Sequence, residues 1–169
     1  MISNTMEQML NEQLNKELFS EHLYLSMSAY FKDLNLDGFA NFFMIQSQEE
    51  HLHAMKQFEY IDQVDGRIKM MAIEAPQNEF EGIQQVFQMT LDHEREVTAS
   101  INKIVGKAIE EQDFATHQFF QWFIAEQVEE ESSIKTILKK IEMVGDNSSA
   151  MYLLNDELNK RTLDTAALI

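Results

Sequence analysis

Glu50-x-x-His53 sets a carboxylate and an imidazole three residues apart, the spacing that puts two side chains on one face of a helix. Alone the pair carries little weight, and so does any single Glu, because Glu is a favoured residue of solvated helix faces. The weight comes from Glu17, Glu94, Gln127 and Glu130, each in the polar middle of an otherwise apolar seam. Read at alternating spacings of three and four, the first two seams run Leu10, Gln13, Glu17, Ser20, Tyr24, Met27, Phe31 and Phe39, Phe43, Gln46, Glu50, His53, Gln57, Tyr60, Val64. The other two run Phe87, Leu91, Glu94, Thr98, Ile101, Val105 and Phe120, Phe123, Gln127, Glu130, Ile134, Ile137, Ile141. Four seams thus bring carboxylates to one level of a bundle. Burying several ionised carboxylates together costs many kcal/mol unless a cation compensates them, so the pattern calls for metal.

The donor types narrow the metal. The chain has no Cys, which excludes thiolate zinc sites, rubredoxin-type iron centres and disulfides. Hard carboxylate oxygens favour ferric iron, and one imidazole adds affinity for the ferrous ion. A two-metal site fits best, with Glu50 as the candidate bridge between ions about 3.5 to 4 Å apart, close enough for O2 to span them and take one electron from each.

Positioning these side chains requires helices. A single Pro, five Gly and abundant Glu, Gln, Leu, Met, Lys and Ala favour an all-α chain, and 169 residues fit a single domain over 1–169. The periodicity predicts helices over about 5–32, 38–65, 83–111, 114–144 and 148–160, with Asn4 or Thr5, Asp37 and Asp113 as N-caps and Asp65-Gly66 as a stop. Residues 66–82 hold the only Pro, Pro76, and show no helical period. Extended at ~3.3 Å per residue, this link spans ~50 Å, more than a long helix. The second and third helices can then be parallel, the one-crossover four-helix bundle rather than a simple up-down bundle.

The formal net charge of -16 argues against nucleic acid as a partner and attracts cations. Residues 1–10 lack the basic patch and apolar run of a signal peptide, and no apolar stretch approaches the ~20 residues of a membrane span. The expectation is a cytoplasmic protein with no membrane partner.

Glu17, Tyr24, Glu49-Glu50-x-x-His53, Glu94 and Glu126-Gln127-x-x-Glu130 together resemble the ferroxidase pattern of bacterial non-haem ferritins, over nearly the whole chain. That resemblance implies a ferritin-like bundle that stores and detoxifies iron, oxidising Fe(II) with O2 or H2O2. It implies an iron site A of Glu17, Glu50 and His53, and a site B of Glu50, Glu94 and Glu130 with Gln127 beside it. The resemblance sets Tyr24 against site A as a hydrogen-bond and redox partner. A third iron position falls on Glu49, Glu126, Glu129 and Glu130, and Trp122, one turn before Glu126, serves either packing or electron transfer. The family also implies a homo-oligomeric shell of 24 subunits, with the fifth helix around a fourfold axis.

Three departures qualify the likeness. Many di-iron bundle oxygenases carry a second E-x-x-H where this chain has Gln127-x-x-Glu130, so site B loses an imidazole and should release its iron to a mineral core. Haem is not expected, since His51 stands where haem-containing bacterioferritins have an axial Met. The animal-ferritin threefold gate positions fall on His117 and Phe120, which are not carboxylates. His22, His51, His93 and His117 lie off the seams and are expected in solvent or at subunit contacts. Two alternatives remain: a di-iron oxidase or oxygenase of a small organic substrate, and a bundle without metal.

Overall fold

The computed structural model describes residues 2–164; Met1 and residues 165–169, the ends of the 1–169 span, lie outside the described residues. Five helices are present among the described residues: α1 Asn4–Asp33, α2 Asp37–Gln63, α3 Ile83–Glu110, α4 Phe114–Val144 and α5 Ser148–Leu158. Three of the helix ends turn on left-handed residues that are not Gly: Asn35, Asp65 and Gln112. Each is followed by a backbone N–H that reaches back to close the last turn, as from Gly66 to the Ile61 carbonyl at 2.8 Å. The short side chains of Asn35 and Asp65 tolerate this conformation, and so Asp65 rather than Gly66 makes the stop; Gln112 adopts it without that advantage.

Two caps differ from the sequence expectation. Ser3, one residue before Asn4, caps α1 by accepting from the Met6 N–H at 3.0 Å. Asp37 is the first helical residue of α2 and pairs with Lys32 at 2.8 Å instead of capping. The free N–H groups of α2 are met from a distance, by Asn155 of α5, whose Oδ1 accepts from Gly38 N at 2.9 Å and Phe39 N at 3.2 Å. Asp113 does cap α4, accepting from Thr116 N at 3.0 Å.

Residue pairs fix the topology. Ser3 meets Glu111, Lys16 meets Ser100 and Ser20 meets His93, so α1 and α3 are antiparallel. The link between α2 and α3 runs alongside α1 in the same direction as α1, with Asn11 on Arg67, Asn15 on Ala72 and Ser26 on Gln77. With α1 and α2 joined by a short turn, α2 and α3 are therefore parallel, and the fold is the one-crossover bundle.

The apolar seam residues form two cores. One holds Tyr24, Met27, Phe31, Phe39, Phe43 and Phe87; the other holds Leu10, Tyr60, Ile101, Phe120 and Phe123. Phe31 stacks on Phe43 with ring centroids 5.6 Å apart and on Phe39 at 5.3 Å, contacts worth ~1 kcal/mol each beyond area burial. Between the cores lies a polar layer of Gln13, Glu17, Glu50, His53, Glu94 and Gln127, all buried. In α3 the expected seam of Phe87, Leu91, Glu94, Ile101 and Val105 is buried, and only Thr98 departs: it is half-buried, its hydroxyl donating to Glu131 at 3.0 Å, while Val97 beside it is buried.

Gly38 is where α5 docks. A Cβ there would sit 1.6 Å from the Asn155 carbonyl oxygen, which is backbone and cannot swing aside. Gly38→Ala is expected to push α5 off α2 and cost about 1 to 3 kcal/mol. A denaturant midpoint unchanged by the substitution would overturn this docking.

Candidate metal centre

Glu17, Glu50 and His53 stand in the polar layer with one ligand atom each, all within 4.8 Å of one another, and all three residues are buried. Glu17 is oriented by two amides, its Oε1 accepting from Gln57 Nε2 at 2.8 Å and Gln13 Nε2 at 3.0 Å. Glu50 Oε2 and His53 Nε2 have no hydrogen-bond partner. Such orphaned buried acceptors are costly in a folded core and are the atoms a cation would engage. His53 Nδ1 approaches Glu50 Oε2 at 3.4 Å, but burial pushes the His53 pKa down, so the contact joins a neutral ring to a carboxyl rather than two ions.

Across the layer, Glu94 is held from both sides. The Tyr24 hydroxyl donates to its Oε1, and Gln127 Nε2 donates to its Oε2 at 3.0 Å and its backbone carbonyl at 3.1 Å. Tyr24 thus hydrogen-bonds on the Glu94 side, where the resemblance had set it against site A; facing seams bring α1 residue 24 level with α3 residue 94. Gln46 Nε2 donates to Glu130 Oε2 at 2.9 Å. The amides Gln13, Gln46 and Gln57 all lay on the expected seams, one turn from Glu17, Glu50 and His53 respectively, without an assigned part.

The electrostatics mark a layer short of positive charge. Burial, then the Glu130 charge, pushes Glu94 up to about 8, and burial with Glu94, Glu17 and Glu130 pushes Glu50 well above the usual carboxylate range. Tyr24 is likewise driven up by burial and by Glu94 and Glu50. Protons here do the work that a bound cation would do.

The outer acidic set is less enclosed. Glu49, Glu126, Glu129 and Glu130 border a cavity of about 100 Å3 that also touches His53 and Arg161. Glu49 is half-buried, Glu126 partly so and Glu129 exposed. Burial raises the Glu49 carboxyl to about 7 against the opposing pull of Arg161, whose Nη2 lies 2.6 Å from Glu49 Oε2. No local pattern announced Arg161, which arrives from beyond α5.

His93 departs from expectation. It is half-buried rather than free in solvent: its Nε2 lies 2.7 Å from Ser20 Oγ, and its ring packs on Phe19 and edge-on to Tyr24. His22 and His51 are exposed, and His51 pairs with Glu21 at 3.2 Å. Trp122 sits edge-on to His53 with ring centroids 5.4 Å apart.

A one-crossover helical bundle with buried carboxylates and an imidazole at mid-height defines a metal-binding protein of ferritin-like architecture. The chain belongs to the ferritin family: the profile of the ferritin-like domain matches residues 7–144. It is 38% identical over 164 residues to a bacterial non-heme ferritin of Staphylococcus aureus, covering 97% of this chain and 99% of the relative. Among solved structures, the open-pore ferritin of the archaeon Archaeoglobus fulgidus superposes with a TM-score of 0.94 at 42% identity, over 96% of this chain and 100% of that one. A form of that ferritin engineered to be closed superposes with a TM-score of 0.95 at 41% identity, covering 97% and 100% of the two chains.

Proposed function

We propose that the protein is an iron-storage ferroxidase, oxidising Fe(II) at a pair of iron positions within each subunit and keeping the ferric product inside a homo-oligomeric shell of 24 copies in the cytoplasm. The observation that carries this is the buried Glu17, Glu50 and His53 group with two unpaired ligand atoms, in a chain of the ferritin family. Glu17, Glu50 and His53 hold the first ion. Glu50, Glu94 and Glu130 hold the second, with Gln127 and Tyr24 orienting Glu94. Glu49, Glu126, Glu129 and Glu130 form a third, outer position.

Two Fe(II) give up one electron each, and O2 with two protons becomes H2O2; with H2O2 as oxidant, two electrons and two protons give water. Iron binding displaces the protons that burial holds on Glu94 and Glu50, and Glu130 on the same layer completes the neutralisation. His53 is already neutral and ready to ligate. Site B offers carboxylates and no imidazole, so ferric iron leaves it more readily than from a two-histidine centre.

Oxidation of a small organic substrate fits less well. The cavity that reaches His53 and Glu130 is only about 100 Å3 and bordered by acids, whereas organic ligands occupy largely apolar clefts of roughly 300 to 1,000 Å3.

Aerobic Fe(II) titration, following ferric absorbance and the iron retained through gel filtration, tests the storage reading. Retention of tens or more irons per chain in a high-mass assembly is expected; saturation at about two per chain in a small oligomer would point to an oxidase with a resident cofactor.

A further inference from the structure

We propose that Arg161 is a tethered cation that competes with iron for the outer acidic pocket, keeping that position weak so that iron passes through it rather than resting there. The inference rests on the reading of Glu49, Glu126, Glu129 and Glu130 as an iron position.

The guanidinium is built into place. Its Nη2 donates to Glu49 Oε2 at 2.6 Å, its Nη1 donates to the Phe42 carbonyl at 3.4 Å, and its Cζ lies over the Phe42 ring, 4.5 Å from the centroid. The Arg161 backbone carbonyl accepts from Asn41 Nδ2 at 3.0 Å. Upstream, Asn155 fastens α5 to the first turn of α2. The side chains of Arg161 and Glu49 are only 25% and 15% exposed, so solvent screens this pair less than a surface one.

Arginine carries a permanent charge and five N–H donors but no lone pair for a metal, so it can neutralise the pocket and cannot ligate there. It occupies one Glu49 oxygen and sets a positive charge beside the cavity bordered by Glu126, Glu129 and Glu130. A divalent ion entering that cavity meets repulsion and finds one carboxylate oxygen already taken. The central carboxylates have no cation seated on them in this way: no Arg or Lys is hydrogen-bonded to Glu17, Glu50 or Glu94 among the described residues, and the Lys56 charge reaches His53 and Glu126 only at a distance. Iron therefore fills the centre first, and the outer position remains a place of transit.

The test uses Zn(II), which binds carboxylates and imidazole without redox chemistry, in calorimetric titrations of the metal-free assembled protein. Wild type is compared with R161Q, R161K and E126Q. In R161Q the third ion per chain is expected to bind roughly tenfold or more tighter, with the two tighter ions unmoved. R161K, which keeps the charge, is expected to stay near wild type; a purely structural arginine would leave lysine and glutamine alike. Third-ion affinity that is unchanged or weaker in R161Q, while E126Q abolishes that event, overturns the competition and leaves the outer iron position standing. If no variant binds more than two ions per chain, the outer position itself fails and the inference with it.

Discussion

Glu50→Ala is expected to slow Fe(II) oxidation by at least about a hundredfold while leaving the helical fold and assembly intact. Glu50 reaches both halves of the layer: its ligand atom lies within 4.8 Å of those of Glu17 and His53, and its carboxyl interacts electrostatically with Glu94 and Tyr24 across the bundle. Removing even a group that only orients a ligand costs roughly 10- to 100-fold in metal affinity or activity, and Glu50 would serve two ions at once. The fold should survive, because Glu50 makes no side-chain hydrogen bond through Oε2 and its burial is a cost in the metal-free chain. Stopped-flow ferric absorbance, with circular dichroism and gel filtration as controls, checks this. A mutant that oxidises iron at the wild-type rate would move the reaction away from this layer.

The fold class was legible because each long helix carries a seven-residue apolar repeat, and the long link can run the length of a helix and so lets α2 and α3 lie parallel. The same repeat explains why Glu17, Glu50, His53, Glu94, Gln127 and Glu130 meet at one height: each lies near the middle of its seam. What local pattern could not supply was anything made at a distance. The first turn of α2 has its cap in Asn155, more than a hundred residues later, and Asp37 looked like the cap because nothing nearer competes. Arg161 lies past the last helix, where composition suggests only a solvated tail, yet it reaches Glu49. His93 is one residue from Glu94 and therefore off the seam, but the groove between α1 and α3 is deep enough to take its ring against Ser20 and Tyr24. Seam periodicity reports which face turns inward; it says nothing about how far a flanking side chain sinks.

Glu94→Gln is expected to remove several kcal/mol of alkaline instability from the metal-free protein and to abolish most of the stabilisation that metal confers. The native Glu94 carboxyl keeps its proton up to about pH 8, whereas the unfolded group releases it near 4.5. Between those values the native state holds the extra proton, so stability falls as pH rises through the window, and above about 8 the full penalty of a buried charge is carried. Below about 4.5 both states are protonated and the group contributes nothing. This is opposite to the usual salt-bridged carboxylate, whose contribution is lost on acidification. Gln has nearly the shape of a protonated Glu and can still meet Tyr24 and Gln127, so it removes the titration without opening a cavity. Melting curves of metal-free wild type between pH 5 and 9 should therefore slope downward, and those of Glu94→Gln should slope clearly less, with Glu50 responsible for the remainder. Adding Zn(II) at pH 8 should raise the wild-type midpoint far more than the mutant's, because the ion takes the place of protons that the mutant no longer has to lose. Parallel pH profiles for the two proteins would show that Glu94 does not hold an extra proton in the metal-free native state, and its burial would then not be what the metal relieves.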